Sequence, residues 1–528
     1  MVSLLTLLSG ASILAIARLL YGRLWPRSID KVPGPPPVRW LTGNLPELLR
    51  SDEISDAPFK WLKEYGAVVK LHAEFGRKIL YVADPKALYY ILNTSGYNFP
   101  KTAAGRAGSG ILLGKGLFWA EGSQHAQQRK IVTPAFSFNT LRDFIPIFLQ
   151  KTQKTVNKLR EQIESAGNPE SNVINMLPWL SRTTLDIIGV SLPSLFIIAA
   201  AEYDFEAIDG GQDNRADAFY KRSDGDIAVA YVLGNAPGPI QGLMKRLPTR
   251  SLKKIGNYMT IVRKVAQEVV DKQTALYTHG KEGSKDLMSV LIRANLSENT
   301  TTKLTNEEVI SKLTTFFFAG HEPASSTLIW ALYELARHPE YQKKVRDEIK
   351  TTRARAAEKN DGEITISDLD SMQYLSALIK MYRAHNSQKE TLRFHPVTPT
   401  ALRQAGQDDH LPLDTPLKLT TGEVITSLPV ECGQHVLLSF MNYNRLTTVW
   451  GEDADEWRPE RFFEEHDKDQ TRVGVISNMM LEMEAILFEL VEHFEFSPPP
   501  GNIEILRVAA GVMAPMYVPF FKNSLICH

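Results

Sequence analysis

Cysteine is almost missing from this chain: only Cys432 and Cys527 occur in 528 residues. Such a pair builds no disulfide framework and lacks the spacing of a zinc site, so a reducing compartment fits best. An excess of one charge is missing too. The 60 Lys and Arg balance 60 Asp and Glu, which removes the basic surplus that points to nucleic acid. Glycine (33) and proline (30) stay near average and exclude collagen-like or low-complexity chains. No repeat and no second linker is found from Trp40 onward. What is present is ordinary globular usage, 43% hydrophobic and 23% charged, over a length that calls for two domains or one large enzyme fold.

The front of the chain is organised differently. Met1 to Leu20 is apolar apart from small polar residues and Arg18, just long enough to span a bilayer, for which about 20 apolar residues are needed. No acidic residue precedes Asp30, while Arg18, Arg23 and Arg27 follow the apolar run and leave the rest of the chain on the cytosolic side. The competing reading is a cleaved signal peptide, but the charged n-region and the small-residue cleavage site are both lacking. Val32 to Pro37, VPGPPP, is stiff and extended and holds such an anchor away from a globular body. The expected layout is an anchor at 1–22, a basic and proline-rich hinge at 23–37 and a body at 38–528.

Within the body helical periodicity dominates, as in Phe144 to Ile163 and Ile255 to Tyr277. Strand-like runs, VVKLHAEF and KILYVAD, lie near the front, and another group lies between about Val397 and Val436. The clearest helix begins at Thr305, which caps it while Glu308 completes a capping box, and it stops at His338-Pro339. At ~1.5 Å per residue it runs nearly 50 Å. Its middle reads AGHEPASS, Ala319 to Ser326. Pro323 costs ~3 kcal/mol there, removing an N–H and clashing with the Ala319 carbonyl. With Glu322 beside it as a buried carboxylate, the stretch suggests a site handling protons or small polar ligands. A tolerated kink with a solvated glutamate is the alternative.

AGHEPASS resembles the A-G-x-[DE]-T-[TS] stretch on the oxygen-binding helix of cytochrome P-450 haem-thiolate monooxygenases. ETLRFHP matches the E-x-x-R motif with Glu390 and Arg393, and WRPERFF matches P-E-R-F from Pro459 to Phe462. EGSQHAQQRKIVTPAFS looks like the helix that carries W-x-x-x-R, with His125 in the aromatic position and Arg129 in the arginine position. Four motifs in order, with the anchor and hinge, are similar to the fungal microsomal members. The resemblance implies a mainly α fold with a minor β part on a single N-terminal anchor in the endoplasmic reticulum membrane. It implies haem iron and insertion of one oxygen atom of O2 into a small apolar substrate. Electrons would come from NADPH through a membrane-bound flavoprotein reductase. Glu390, Arg393 and Arg461 would form a buried triad supporting the haem pocket, where a solvated surface pair is the bland reading. His125, Arg129 and Arg403 would hold haem propionates, Ala319 and Gly320 would adjoin the cofactor, and Glu322 with Ser325 would handle protons. Ile111, Leu112 and Phe316 line the substrate pocket or are ordinary core.

The chain departs from the family where it matters most. The cysteine of F-x-x-G-x-R-x-C-x-G, which ligates the iron, should lie between PERF and the last long helix. Here VISNMM runs directly into LEMEAILFELVEHFEF, and no cysteine stands between Cys432 and Cys527. Cys432, in LPVECGQHV, reads as a structural small residue and Cys527 as part of a frayed end, so no axial metal ligand is named. Segments 191–200 and 381–389 look inserted, and Pro323 replaces the usual threonine. Two inserts and one lost loop suggest mistaken exon boundaries, the rivals being a divergent protein and an inactive membrane-anchored relic. Deleting Met1 to Pro26 is expected to release the body from microsomes without detergent. A truncated chain that still pellets with membranes would refute the anchor.

Overall fold

A computed structural model describes residues 27–39, 42–50, 53–133, 144–165, 173–194, 250–278, 287–297, 303–359, 362–379, 390–463, 480–499, 505–509 and 512–517. The expected anchor at 1–22, the segment 381–389 and most of 191–200 lie outside them. Among the described residues no helix is long and apolar enough to cross a membrane. The body expected from residue 38 onward divides into two compact units, one of Met1–Pro100 with Thr400–Tyr443 and one of Lys101–Pro399 with Asn444–His528. The first unit is discontinuous, so no linker composition marks its boundaries.

The first unit holds six of the eight described strands. Helix α1 (Asp56–Tyr65) precedes β1 (Val68–His72) and β2 (Lys78–Val82), and the later segment supplies β3 (Thr400–Gln404), β4 (Asp409–Lys418), β5 (Val424–Val430) and β6 (His435–Ser439). The sheet order is β1-β2-β6-β3, with β2 parallel to β6 and both outer pairings antiparallel, while β4 and β5 form a separate hairpin. In β2, central in this sheet, Ile79 to Val82 are all buried, as a strand covered on both faces requires. Trp61 of α1 packs edge-on against Tyr81 at 6.1 Å over a core of Val69, Leu71, Ile79 and Leu437.

The second unit is helical: α2 (Ala103–Leu112), α3 (Gly122–Val132), α4 (Ile145–Ser165), α5 (Met176–Ser194), α6 (Arg250–Thr278), α7 (Leu287–Leu296), α8 (Asn306–Arg337), α9 (Pro339–Lys359), α10 (Gln373–Ile379), α11 (Glu390–Phe394) and α12 (Met480–His493). A C-terminal hairpin pairs β7 (Ile505–Ala509) with β8 (Met513–Tyr517). The long helix α8 starts as its sequence requires. The Glu308 amide donates to Thr305 Oγ1 at 3.2 Å, and Glu308 Oε2 accepts from the Thr305 amide at 2.9 Å. Its N-terminal half packs Val309, Leu313 and Phe317 into a core shared with α6 and α7. Its C-terminal half packs Leu328, Leu332 and Leu335 into another core, with α4, α9 and α12. The two cores meet along the helix at AGHEP, where Pro323 is accommodated within α8. Ala319, whose carbonyl loses its N–H donor to that proline, is exposed.

Toward the C-terminus of α8 a polar cluster ties in the hairpin. The His395 ring stacks on Trp330 with centroids 3.8 Å apart, Arg507 Nε donates to His395 Nδ1 at 3.3 Å, and Nε2 is left to donate to Glu334 Oε1 at 2.7 Å. Burial, with four arginines around the ring, holds His395 well below its ordinary pKa, so the imidazole is neutral. Burial pushes the Glu334 carboxyl up to about 7, with Arg337, Arg507 and Arg445 pulling it back. Its pKa is higher folded than unfolded, so its contribution to stability is complete below about 4.5 and is lost as the pH rises through about 7. Glu334→Gln keeps the acceptor and removes the titration. Urea unfolding at pH 5 and pH 8 should show a smaller loss of stability in the variant than in the parent, by up to about 3 kcal/mol. Equal losses in both proteins would refute this assignment.

Candidate functional site

A buried carboxylate of the second unit gathers four hydrogen bonds. Glu390 and Arg393 lie three residues apart on α11 and are fully buried. Arg393 Nε and Nη2 donate to the two Glu390 oxygens at 2.7 and 2.8 Å, a bidentate pair that matches fork to fork. Its remaining N–H groups reach the carbonyls of Asn444, Ala454 and Glu456 at 2.7–2.8 Å. Arg461, in the single turn Pro459–Phe462, donates from Nε to Glu390 Oε1 at 3.2 Å. Its other donors bond to the Trp450, Asp453 and Glu456 carbonyls and to the Asp453 side chain. Both guanidinium groups thereby use all five N–H donors. The Arg458 amide adds a further bond to Glu390 Oε1 at 2.6 Å. The surface-pair reading is thus excluded by burial alone.

The residues of AGHEPASS point in several directions. Gly320 lies where α5 crosses α8, and a Cβ there would stand 2.1 Å from Ile188 Cδ1, so the glycine serves helix packing. His321 is buried, and its Nδ1 donates to the Phe317 carbonyl at 2.6 Å. Burial drives its pKa down to about 4, which makes it a neutral structural histidine. Glu322, expected buried, is half-buried. Ser325 is buried, accepting from Ser181 Oγ at 3.2 Å and donating to the Glu322 carbonyl at 3.0 Å. Ser326 donates to the Met513 carbonyl at 2.6 Å. Neither serine leaves its hydroxyl proton to the Glu322 carboxylate, because each is already given to a backbone oxygen.

The expected propionate partners lie on elements of both units. His125 and Arg129 share α3 at i and i+4. His125 is half-buried and its pKa is lowered by burial, then by Lys101 and Arg129, whereas Arg129 is exposed. Arg403 is half-buried on β3 of the other unit, with Nη1 donating to the Leu402 carbonyl at 3.0 Å. Phe316 is half-buried at the edge of its core; the side chains of Ile111 and Leu112 lie outside the described set. Cys432 is exposed, and its thiol donates to the Gly406 carbonyl at 3.2 Å.

Sequence reasoning missed the polar groups buried on helices. Lys312 and Ser311 of α8 are fully or nearly fully buried, and so are Glu482, Glu484 and Glu489 of α12. Their signal is a charged residue on an otherwise apolar helix face. Among the described residues, one cluster, Glu489, Glu492 and His493, brings ligand-type atoms within 4.8 Å of one another. Arg353 already bonds both of its carboxylates at 2.5–3.1 Å, so it is an ion-pair network.

Comparison with known proteins gives one consistent result. A cytochrome P450 family model matches residues 33–476. Cytochrome P450 monooxygenase 205 of Postia placenta is 32% identical over 518 residues, covering 92% of this chain and 90% of that protein. Cytochrome P450 monooxygenase 91 of the same fungus is 30% identical, covering 92% and 91%. Ganoderic acid synthetase CYP5150L8 of Ganoderma lucidum is 30% identical, covering 94% and 93%.

Arg393→Ala takes the bidentate partner from the buried Glu390 carboxylate and leaves it Arg461 and the Arg458 amide. The expected cost is ~3–5 kcal/mol, enough to abolish soluble expression of a marginal domain. Arg129→Ala, on the exposed face of α3, should leave solubility and the urea midpoint unchanged. Wild-type solubility of Arg393→Ala would show that the Glu390 cluster is not what holds the unit together.

Proposed function

We propose the following reading for this chain, which belongs to the cytochrome P450 family. Its lineage inserts one oxygen atom of O2 into a small apolar substrate, with electrons passed from NADPH by a membrane-bound reductase. Residues 1–22 anchor it in the endoplasmic reticulum membrane with the body in the cytosol. The family is one of haem-dependent monooxygenases, and its iron chemistry is that of the haem. Support comes from the four motifs in order and from the match across residues 33–476.

The face of α8 at Ala319 is exposed where a flat apolar group is expected. The donor set is another matter. A thiolate is needed, and no cysteine occurs between Cys432 and Cys527. The family match ends four residues before Met480, where α12 starts. The residues present do not fit a haem–thiolate centre, and no reaction step is derived through one. In this reading the ligand loop has been lost between the PERF turn and α12. Glu390, Arg393 and Arg461 frame the helical unit, His125, Arg129 and Arg403 are the carboxylate partners, and Glu322 is the proton-handling group. Ser325 holds the turn that carries Glu322. The rival is an inactive membrane-anchored relic.

The observation that carries the reading is the cysteine-free stretch before α12 in an otherwise continuous family match. The exact chain, expressed with haem supplied, should give no thiolate-type band in its ferrous–CO spectrum. Inserting a cysteine-bearing loop of the family pattern after Met480 should be necessary for that band. A thiolate band from the unmodified chain would overturn the reading, and Cys432→Ser would then be the first variant to make.

A further inference from the structure

Lys312 is fully buried on α8, and among the described residues its Nζ has no hydrogen-bond partner. The side chain best placed to neutralise it is Glu308, one turn earlier. Glu308 Oε2, however, already accepts from the amide and the hydroxyl of Thr305 in the capping box. Ser311 Oγ, on the adjoining residue, is buried and unpartnered in the same sense. An ammonium group removed from water without an acceptor is costly, and an acceptor that arrives from outside offsets that cost.

The position of Lys312 indicates what such an acceptor would be attached to. Residues seven apart on a helix fall within about 20° of each other, so Lys312 and Ala319 lie on one stripe of α8, separated by ~10 Å along its axis. Phe316 lies between them and Pro323 continues the line. Along this stripe Lys312 is buried, Phe316 and Pro323 are half-buried and Ala319 is exposed. Neighbouring faces of the helix are closed. Gly116 presses so closely on Ser311 and Thr315 that a Cβ would stand 2.7 Å from the Ser311 carbonyl oxygen. Val309, Leu313 and Phe317 belong to the core with α6 and α7.

We propose that Lys312 is the anchor for the carboxylate of an elongated apolar acid whose hydrocarbon body lies along Phe316 toward Ala319. This deepens the proposed function, since it names the substrate class for the same face of α8. Burial pushes the ammonium down to about 8 against the pull of Glu308, so the amine remains mainly protonated near neutral pH. A charged hydrogen bond in such surroundings contributes more than one between neutral groups.

The test uses the purified full chain in lipid nanodiscs and equilibrium dialysis of labelled decanoate and decan-1-ol, with empty nanodiscs subtracted. Decanoate should bind about tenfold or more tighter than the alcohol. Lys312→Met should remove that preference without loss of fold, as it replaces an unpaired amine by an apolar chain of similar length. Lys312→Arg should keep it. Equal affinity for acid and alcohol in the parent, or an undiminished preference in Lys312→Met, overturns the role of Lys312 and leaves an apolar-ligand site standing. Absence of binding by either probe overturns both.

Discussion

One carboxylate holds the last third of the helical unit in place. Glu390 accepts from two guanidinium groups and a backbone amide, and those guanidinium groups extend to the carbonyls of Asn444, Trp450, Asp453, Ala454 and Glu456. A stretch with little regular secondary structure would otherwise bury carbonyl groups with no donors. The two arginines supply those donors, and Glu390 supplies the countercharge that lets them be buried. The arrangement is interdependent: each arginine is tolerable only with the acid, and the acid only with the arginines. Its specificity lies in planar forks, which an ammonium group could not reproduce.

The second organising element is α8, which takes part in two hydrophobic cores and, away from its two ends, is least covered where they meet. A helix with one continuous apolar stripe would be covered along its whole length. Here the stripe rotates from Val309, Leu313 and Phe317 to Leu328, Leu332 and Leu335, and the changeover coincides with Gly320, Pro323 and the exposed Ala319. Gly320 admits α5 closely on one side, and Pro323 removes a donor on the other. The polar character of this region therefore comes from the backbone as much as from Glu322.

Much of this was legible in the sequence because it rests on local rules. The caps of α8 follow from Thr305, Glu308 and His338, and the expected helices over 144–163 and 255–277 are found as Ile145–Ser165 and Arg250–Thr278. The strands VVKLH and KILYV follow from β-branched and aromatic runs. The two-unit layout was not legible, since β6 joins β2 across most of the chain and leaves no compositional seam. Nor were the destinations of Ser325 and Ser326, which depend on Ser181 and on the Met513 carbonyl. The surroundings of Arg129, exposed on α3, and of Arg403, half-buried on β3, were not legible either, since exposure is set by packing and not by motif position. Lys312 could have been noticed as a lone cation on an apolar stripe, yet its want of a partner is a tertiary fact.

The discontinuity of the first unit has a kinetic side. Strand β2 pairs with β1 at once, but its other edge waits for His435 to Leu438, about 350 residues downstream. At ~5–20 residues per second of synthesis, that edge, with Ile79 and Tyr81 on it, stays open for roughly 20–70 s while Lys101–Pro399 of the helical unit is made. An unpaired apolar strand edge is a template for wrong partners. In a nascent chain of this topology the first hundred residues carry an open sheet edge until β6 emerges and closes it.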